Sequence, residues 1–114
     1  MRSVTPIIAN ITEPGDVRQA VRQPRPNLIF HLAAQLSVAA SWSDPLSALQ
    51  LNAGGAVHLL EALRAERLSP RVVLIGSGEQ YGLVKPEEHP INEETLPRSI
   101  SHYRVSKLAQ DLYG

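Results

Sequence analysis

A chain of 114 residues with 43% hydrophobic content can bury one modest core but not two, so it is read as a single domain or part of one. Eleven Lys and Arg against eleven Asp and Glu leave no global field that would draw it to nucleic acid or to an anionic membrane surface. The absence of cysteine excludes disulfides and thiolate metal sites, no apolar run approaches the roughly 20 residues of a membrane span, and Met1 to Asn10 lacks a signal-peptide layout, so a soluble, cytoplasmic chain is expected.

Val4 to Ile11 contains Val4, Ile7, Ile8 and Ile11, which predicts a brief strand ending at a Glu13-Pro14-Gly15 turn. Asp16 can cap a short helix whose apolar positions Val17, Ala20 and Val21 share one face, until Pro24 and Pro26 stop it. Asn27 to Ala34 is apolar without alternation, as expected of a strand buried on both faces of a parallel sheet. A small-residue loop over 35–43 leads to Ser43 or Asp44, either of which can cap a long helix with Pro45 in its first turn. Leu46, Leu49, Ala53, Ala56, Val57, Leu60 and Leu63 form its apolar stripe, and Gly54-Gly55 would let that face approach its neighbours closely. Arg71 to Gly76 is a second buried strand. Residues 78–99, with three prolines, form an irregular segment of a length usually tied to function. Ser101 can cap a final helix carrying Tyr103 and Lys107 four apart on one face. The alternation of strands and helices implies a parallel α/β sheet with right-handed crossovers. Ligands bind such sheets beyond the carboxyl ends of the strands, here 31–35 and 76–79.

A tyrosine and a lysine one turn apart can share a site, because an ammonium stabilises a phenolate and prepares an acid/base tyrosine. Ser77, at the end of a neighbouring strand, could hydrogen-bond the same substrate oxygen. Tyr-x-x-x-Lys alone arises often by chance. It gains weight from other matches in fixed order: Asn27 to Gln35, Ser41-Trp42-Ser43-Asp44-Pro45, Asn52-Ala53-Gly54-Gly55, Leu59-Leu60-Glu61-Ala62, Gly76-Ser77-Gly78-Glu79-Gln80-Tyr81-Gly82, and Tyr103-Arg104-Val105-Ser106-Lys107. From about Asn10 to Gly114 this set resembles the extended short-chain dehydrogenases/reductases, in the NAD-dependent epimerase/dehydratase branch that includes GDP-mannose 4,6-dehydratases and GDP-6-deoxy-4-keto-mannose reductases.

The resemblance implies a partial Rossmann-like, doubly wound parallel sheet, with 1–114 forming part of a dinucleotide-binding domain for NAD or NADP. It implies that Tyr103 is the acid/base, that Lys107 binds the nicotinamide ribose and lowers the tyrosine pKa, and that Ser77 polarises the substrate oxygen. Leu32, Ala33, Ala34, Gln35 and Asn52 would lie along the cofactor. Asn10-Ile11 stands where an Asp followed by an aliphatic residue contacts adenine in the family, and Asn offers one acceptor fewer. Glu79 matches the base of water elimination in the dehydratases, although reductases can carry Glu there too. Ser47 replaces a tyrosine usual in the dehydratases, and the 72–79 strand is more like the reductases. The expected reaction is therefore reduction of the 4-keto group of a GDP-linked 6-deoxy-hexose. Dehydration of GDP-mannose with Glu79 as base is the alternative, and a non-catalytic binding remnant is the second. The parent would be a homodimer or higher homo-oligomer with a nucleotide-sugar substrate, no nucleic-acid or membrane partner and no metal.

The four histidines are expected to be chiefly structural: none has a second ligand at metal spacing, though His102 adjoins Tyr103. Trp42 could close the sheet edge, Tyr81 could be structural or line a substrate, and Asn52 could simply bridge helix and sheet. The 114 residues contain no G-x-x-G-x-x-G or G-x-G-x-x-G turn, on which a pyrophosphate rests in this family. A first β-α-β unit before Met1 and a substrate domain after Gly114 are therefore expected, and the isolated chain is expected to be marginally stable and inactive.

Overall fold

The computed structural model describes residues 4–98 and 101–114. Val17 and Val21, one turn apart in helix α1 (Pro14–Arg22), are both buried. They meet Leu59, Ala62 and Leu63 of helix α4 (Gly55–Ala65), with Ile11, Ile29, Leu68 and Val72 packed around them. Truncating a leucine such as Leu63 in so small a core would cost about 2–5 kcal/mol. Helix α1 starts two residues before the expected Asp16 cap, because Pro14 suits a first turn and lacks the N–H that a cap would satisfy. Asp16 instead accepts a hydrogen bond from the Asn10 backbone N–H at 2.9 Å.

Strands β1 (Leu28–His31) and β2 (Arg71–Leu74) pair in parallel, with Leu28 opposite Arg71 and His31 opposite Leu74. The class is α/β, as the alternation predicts, and the arrangement is that of a partial Rossmann-like domain. Two expectations are corrected. Residues 4–10 form no strand: a strand needs a neighbour for its backbone groups, and this segment is hydrogen-bonded to neither β1 nor β2. Nor is β1 buried on both faces. Ile29 and His31 turn toward the helices, whereas Leu28 and Phe30 are 48% and 60% exposed. Successive side chains alternate across a strand, and α1 and α4 cover the face of Ile29 and Val72.

The 35–43 loop contains an unexpected short helix, α2 (Val38–Ser43), capped by Ser37, whose hydroxyl accepts from the Ala40 N–H at 3.1 Å. The single long helix of the sequence reading is interrupted. Asp44 caps α3 (Pro45–Leu49) by accepting from the Ser47 N–H, and a π-helical turn (Gln50–Gly54) then leads into α4. Of the two adjacent glycines, Gly55 carries the close approach: a Cβ there would lie 2.8 Å from the Ile11 side chain. The irregular segment contains two 3₁₀ turns, Gly78–Tyr81 and Pro86–Glu88, and closes on Gly82. Gly82 has φ 69°, and a side chain there would collide with the Arg98 carbonyl. Ser99, the last residue of the expected segment, lies outside the described residues. Helix α5 (His102–Tyr113) begins where expected, with Ser101 accepting from the Arg104 N–H at 3.2 Å. Among the described residues no helix is long and apolar enough to cross a membrane.

Candidate active site

Helix α5 buries Tyr103, Ser106, Lys107 and Gln110, positions spaced three and four apart and therefore on one face. A buried face this polar has to be satisfied by hydrogen bonds, and each bond fixes the helix against another element. The Tyr103 N–H donates to Ser41 Oγ of α2 at 3.1 Å. Ser106 Oγ donates to the Tyr103 carbonyl at 2.7 Å and accepts from Asn52 Nδ2 at 2.8 Å. Lys107 Nζ donates to the carbonyl of Ile75, just past β2, and to Gln110 Oε1 at 2.7 Å. Gln110 Nε2 donates to the same Ile75 carbonyl at 3.2 Å.

Lys107 is therefore buried at the carboxyl end of β2, held by a carbonyl two residues before Ser77. Burial lowers its pKa from the ordinary lysine range, and the Asp111 carboxylate opposes that shift. An ammonium has three N–H donors, and two are used. His31 ends β1 in the same region. It is 5% exposed and its Nε2 is buried with no partner among the described residues. Burial, then the Lys107 charge, lowers its pKa, which favours the uncharged ring.

Ser77 caps the first 3₁₀ turn, its Oγ accepting from the Glu79 N–H at 3.2 Å. The fold thus brings Lys107 and Ser77 to the end of one strand, with Tyr103 one turn from Lys107. Among the described residues the Tyr103 hydroxyl makes no hydrogen bond. Glu79 is paired with Arg104, whose Nε and Nη2 approach Oε2 at 2.9 and 2.7 Å. Beyond β1, Leu32 and Ala33 are exposed, and Ala34 and Gln35 are half-buried.

Asn52 sits in the π-helical turn, fully buried. Its Oδ1 accepts from the Gln35 N–H at 2.8 Å, and its Nδ2 donates to the Gln35 carbonyl at 3.2 Å as well as to Ser106. It clamps the segment that follows β1 to α5. Asn10 Oδ1 accepts from the N–H and hydroxyl of Thr12 at 3.0 and 2.9 Å, and the Ile11 carbonyl is 2.9 Å from His58 Nδ1. Asn10 and Ile11 thus shape the turn before α1, while Trp42 stacks edge-on against His102 with ring centres 4.8 Å apart. Sequence reasoning missed Ser41, Ser106 and Gln110 as supports of the site. The spacing of polar residues through Tyr103, Ser106, Lys107 and Gln110 was the signal available for the last two.

The model of the family described as GDP-mannose 4,6 dehydratase matches residues 2–114. The chain belongs to that family. Among its relatives is the GDP-6-deoxy-D-mannose reductase of Pseudomonas aeruginosa, 41% identical over 86 residues, covering 75% of this chain and 28% of the reductase. A GDP-mannose 4,6-dehydratase of Sordaria araneosa is 35% identical over 111 residues, covering 96% of this chain and 20% of that protein. The chain therefore spans under a third of the length of these relatives. A structure of the P. aeruginosa protein RMD complexed with NADPH superposes with a TM-score of 0.88 at 34% identity, covering 97% of this chain and 38% of that one. Thermus thermophilus UDP-glucose 4-epimerase complexed with NAD gives 0.82 at 34% identity, covering 94% and 34%.

Proposed function

We propose that this chain supplies the catalytic face of an NAD(P)-dependent nucleotide-sugar oxidoreductase that reduces the 4-keto group of a GDP-linked 6-deoxy-hexose. The observation that carries the reading is the buried Lys107 ammonium at the end of β2, one turn from Tyr103 and with one donor to spare. Similarity to the P. aeruginosa reductase supports the choice of reaction and substrate.

The donor set suits the nicotinamide half of the cofactor. The remaining Lys107 N–H can meet a ribose hydroxyl, and Leu32 and Ala33 offer exposed apolar surface to a flat ring, followed by half-buried Ala34 and Gln35. Asn52 acts from behind, holding Gln35 in place, and Asn10 and Ile11 would border the adenine end. When bound, the cofactor supplies the hydride. Ser77 Oγ, which accepts the Glu79 N–H, keeps its own proton to donate to the substrate carbonyl and orient it. Tyr103, whose hydroxyl is free of protein partners among the described residues, gives its proton to the oxygen as negative charge develops there. Lys107 lowers the cost of the resulting phenolate.

A second reading, dehydration of GDP-mannose, is favoured by the half-exposed Glu79 beside Ser77. Incubating the full-length protein with each sugar separates the two. The reductase reading expects reduced cofactor to be consumed with GDP-4-keto-6-deoxymannose and GDP-mannose to be left intact, and the reverse pattern overturns it. The reading also carries a cytoplasmic location, a homodimer or higher homo-oligomer as the working form, and no nucleic-acid partner, in keeping with a formal charge of zero.

A further inference from the structure

Gln110 is the largest fully buried side chain among the described residues, and it lies three positions beyond the equally enclosed Lys107 on the same face of α5. Its Oε1 accepts from Lys107 Nζ at 2.7 Å while its Nε2 donates to the Ile75 carbonyl at 3.2 Å, and Lys107 donates to that same carbonyl. The three groups close a triangle. The partners leave the amide one orientation, since an ammonium only donates and a carbonyl only accepts. Ile75 is itself anchored, its N–H donating to the His31 carbonyl at 3.4 Å.

Both oxygens that hold the ammonium are neutral, so they stabilise it without cancelling its charge. The titratable groups around Lys107 are Tyr103 and Asp111 on its own helix and His31 at the end of β1. Asp111 Oδ2 is occupied by Gln80 Nε2 at 3.2 Å, and Glu79 of the neighbouring 3₁₀ turn is paired with Arg104. A lysine stem is long and flexible, and a single bond to Ile75 would let the ammonium swing about that oxygen. The second bond fixes two of the three N–H directions, and the tetrahedral nitrogen then fixes the third.

We propose that Gln110 is the positioning residue of this site: its amide locks the Lys107 ammonium onto the Ile75 carbonyl, so that the one uncommitted N–H keeps a single direction for the cofactor to meet. This rests on the reading of Lys107 as a ribose donor given above. Gln110 acts through Lys107.

The test compares Gln110→Met and Gln110→Glu in the full-length protein by two readouts. The first is the titration of Lys107, followed by carbon-13 NMR at lysine Cε and assigned by loss of the signal in Lys107→Arg. Methionine takes an acceptor from a buried ammonium, so the midpoint should fall, whereas glutamate places an anion there, so it should rise. Both variants lose the bond from Nε2 to Ile75. A role confined to packing would therefore move both midpoints the same way or neither, and either result overturns the proposal. The second readout is the dissociation constant of NADPH, and of NADH in parallel, from nicotinamide fluorescence at a pH where Lys107 is charged. Gln110→Met should weaken binding about tenfold, the low end for one hydrogen bond to a charged group. A change under about twofold overturns the proposal alone. Should the variants unfold, the unaltered protein decides: ammonium protons held on two oxygens should exchange slowly enough to appear in a nitrogen-15 spectrum recorded in the cold, and their absence overturns it. Failure of the unaltered protein to bind either dinucleotide overturns the oxidoreductase reading, and this proposal with it.

Discussion

Asn52→Ala should be among the most damaging single changes outside the apolar core. The carboxamide is fully buried and makes three hydrogen bonds, two to the backbone of Gln35 and one to Ser106. In the variant Ser106 keeps its bond to the Tyr103 carbonyl, but both backbone groups of Gln35 lose their partner. At about 1 kcal/mol per bond, the loss comes to about 3 kcal/mol, with the Gln35 groups left unpaired adding to it and any water entering the space subtracting. At a urea slope of about 1.5 kcal/mol/M the midpoint falls by about 2 M, measured by equilibrium unfolding with circular dichroism. Asn52→Asp sharpens the test. A carboxylate can still accept from the Gln35 N–H but faces the Gln35 carbonyl with no donor, so burial should raise its pKa in the folded state. The folded state then holds the extra proton, and this variant should lose stability as pH rises. A midpoint shift under about 0.5 M for Asn52→Ala would show that the clamp contributes little and refute the reasoning.

Three further outcomes follow from local geometry. His31 has a lowered pKa in the fold, through burial first and Lys107 second, so below about pH 6.5 the unfolded chain takes a proton that the folded chain refuses. Melting temperature should therefore fall as pH drops from about 6.5, and His31→Leu should flatten that slope; an unchanged slope contradicts it. Glu88 accepts hydrogen bonds from Arg98 and from the Lys85 N–H, and these hold its carboxyl down to about 2 from 4.5. The loop tie is complete above the ordinary carboxylate range and is lost as pH falls through about 2, and a carbon-13 titration with a midpoint near 4.5 would contradict it. Gly82→Ala forces a side chain into a left-handed backbone and against the Arg98 carbonyl, so it should cost about 1–3 kcal/mol in urea unfolding. A loss below about 0.5 kcal/mol would contradict it.

The α/β order was legible because buried strands and amphipathic helices leave different apolar periods, and Asp44 and Ser101 cap as their positions predict. The strand expected over residues 4–11 failed because β-compatible residues fix no pairing partner, and the expected two-sided burial of β1 failed because apolar residues do not say which face a helix will cover. The π-helical turn was invisible: Gly54-Gly55 signalled close approach, but the interruption depends on Asn52 meeting Gln35 and Ser106, which are distant in sequence. That Tyr103, Lys107 and Ser77 gather near the end of one strand was legible from the order of strands and helices. The pairing of Arg104 with Glu79 was not, because 25 residues separate them and either could have been a solvated surface charge. Lys107 shares a helix face with Tyr103 as its spacing predicts, but its bond to the Ile75 carbonyl was not legible. That contact is set by how α5 lies against the end of β2.

The central claim is that Tyr103 carries the proton in a nucleotide-sugar reduction, and the most direct test is Tyr103→Phe in the full-length protein. The change removes one hydroxyl that has no partner among the described residues, so the fold and cofactor binding should persist. Turnover of GDP-4-keto-6-deoxymannose should fall by about 10²–10⁴-fold, the contribution of a positioned general acid. Turnover equal to that of the unaltered protein, with cofactor binding intact, would contradict the account.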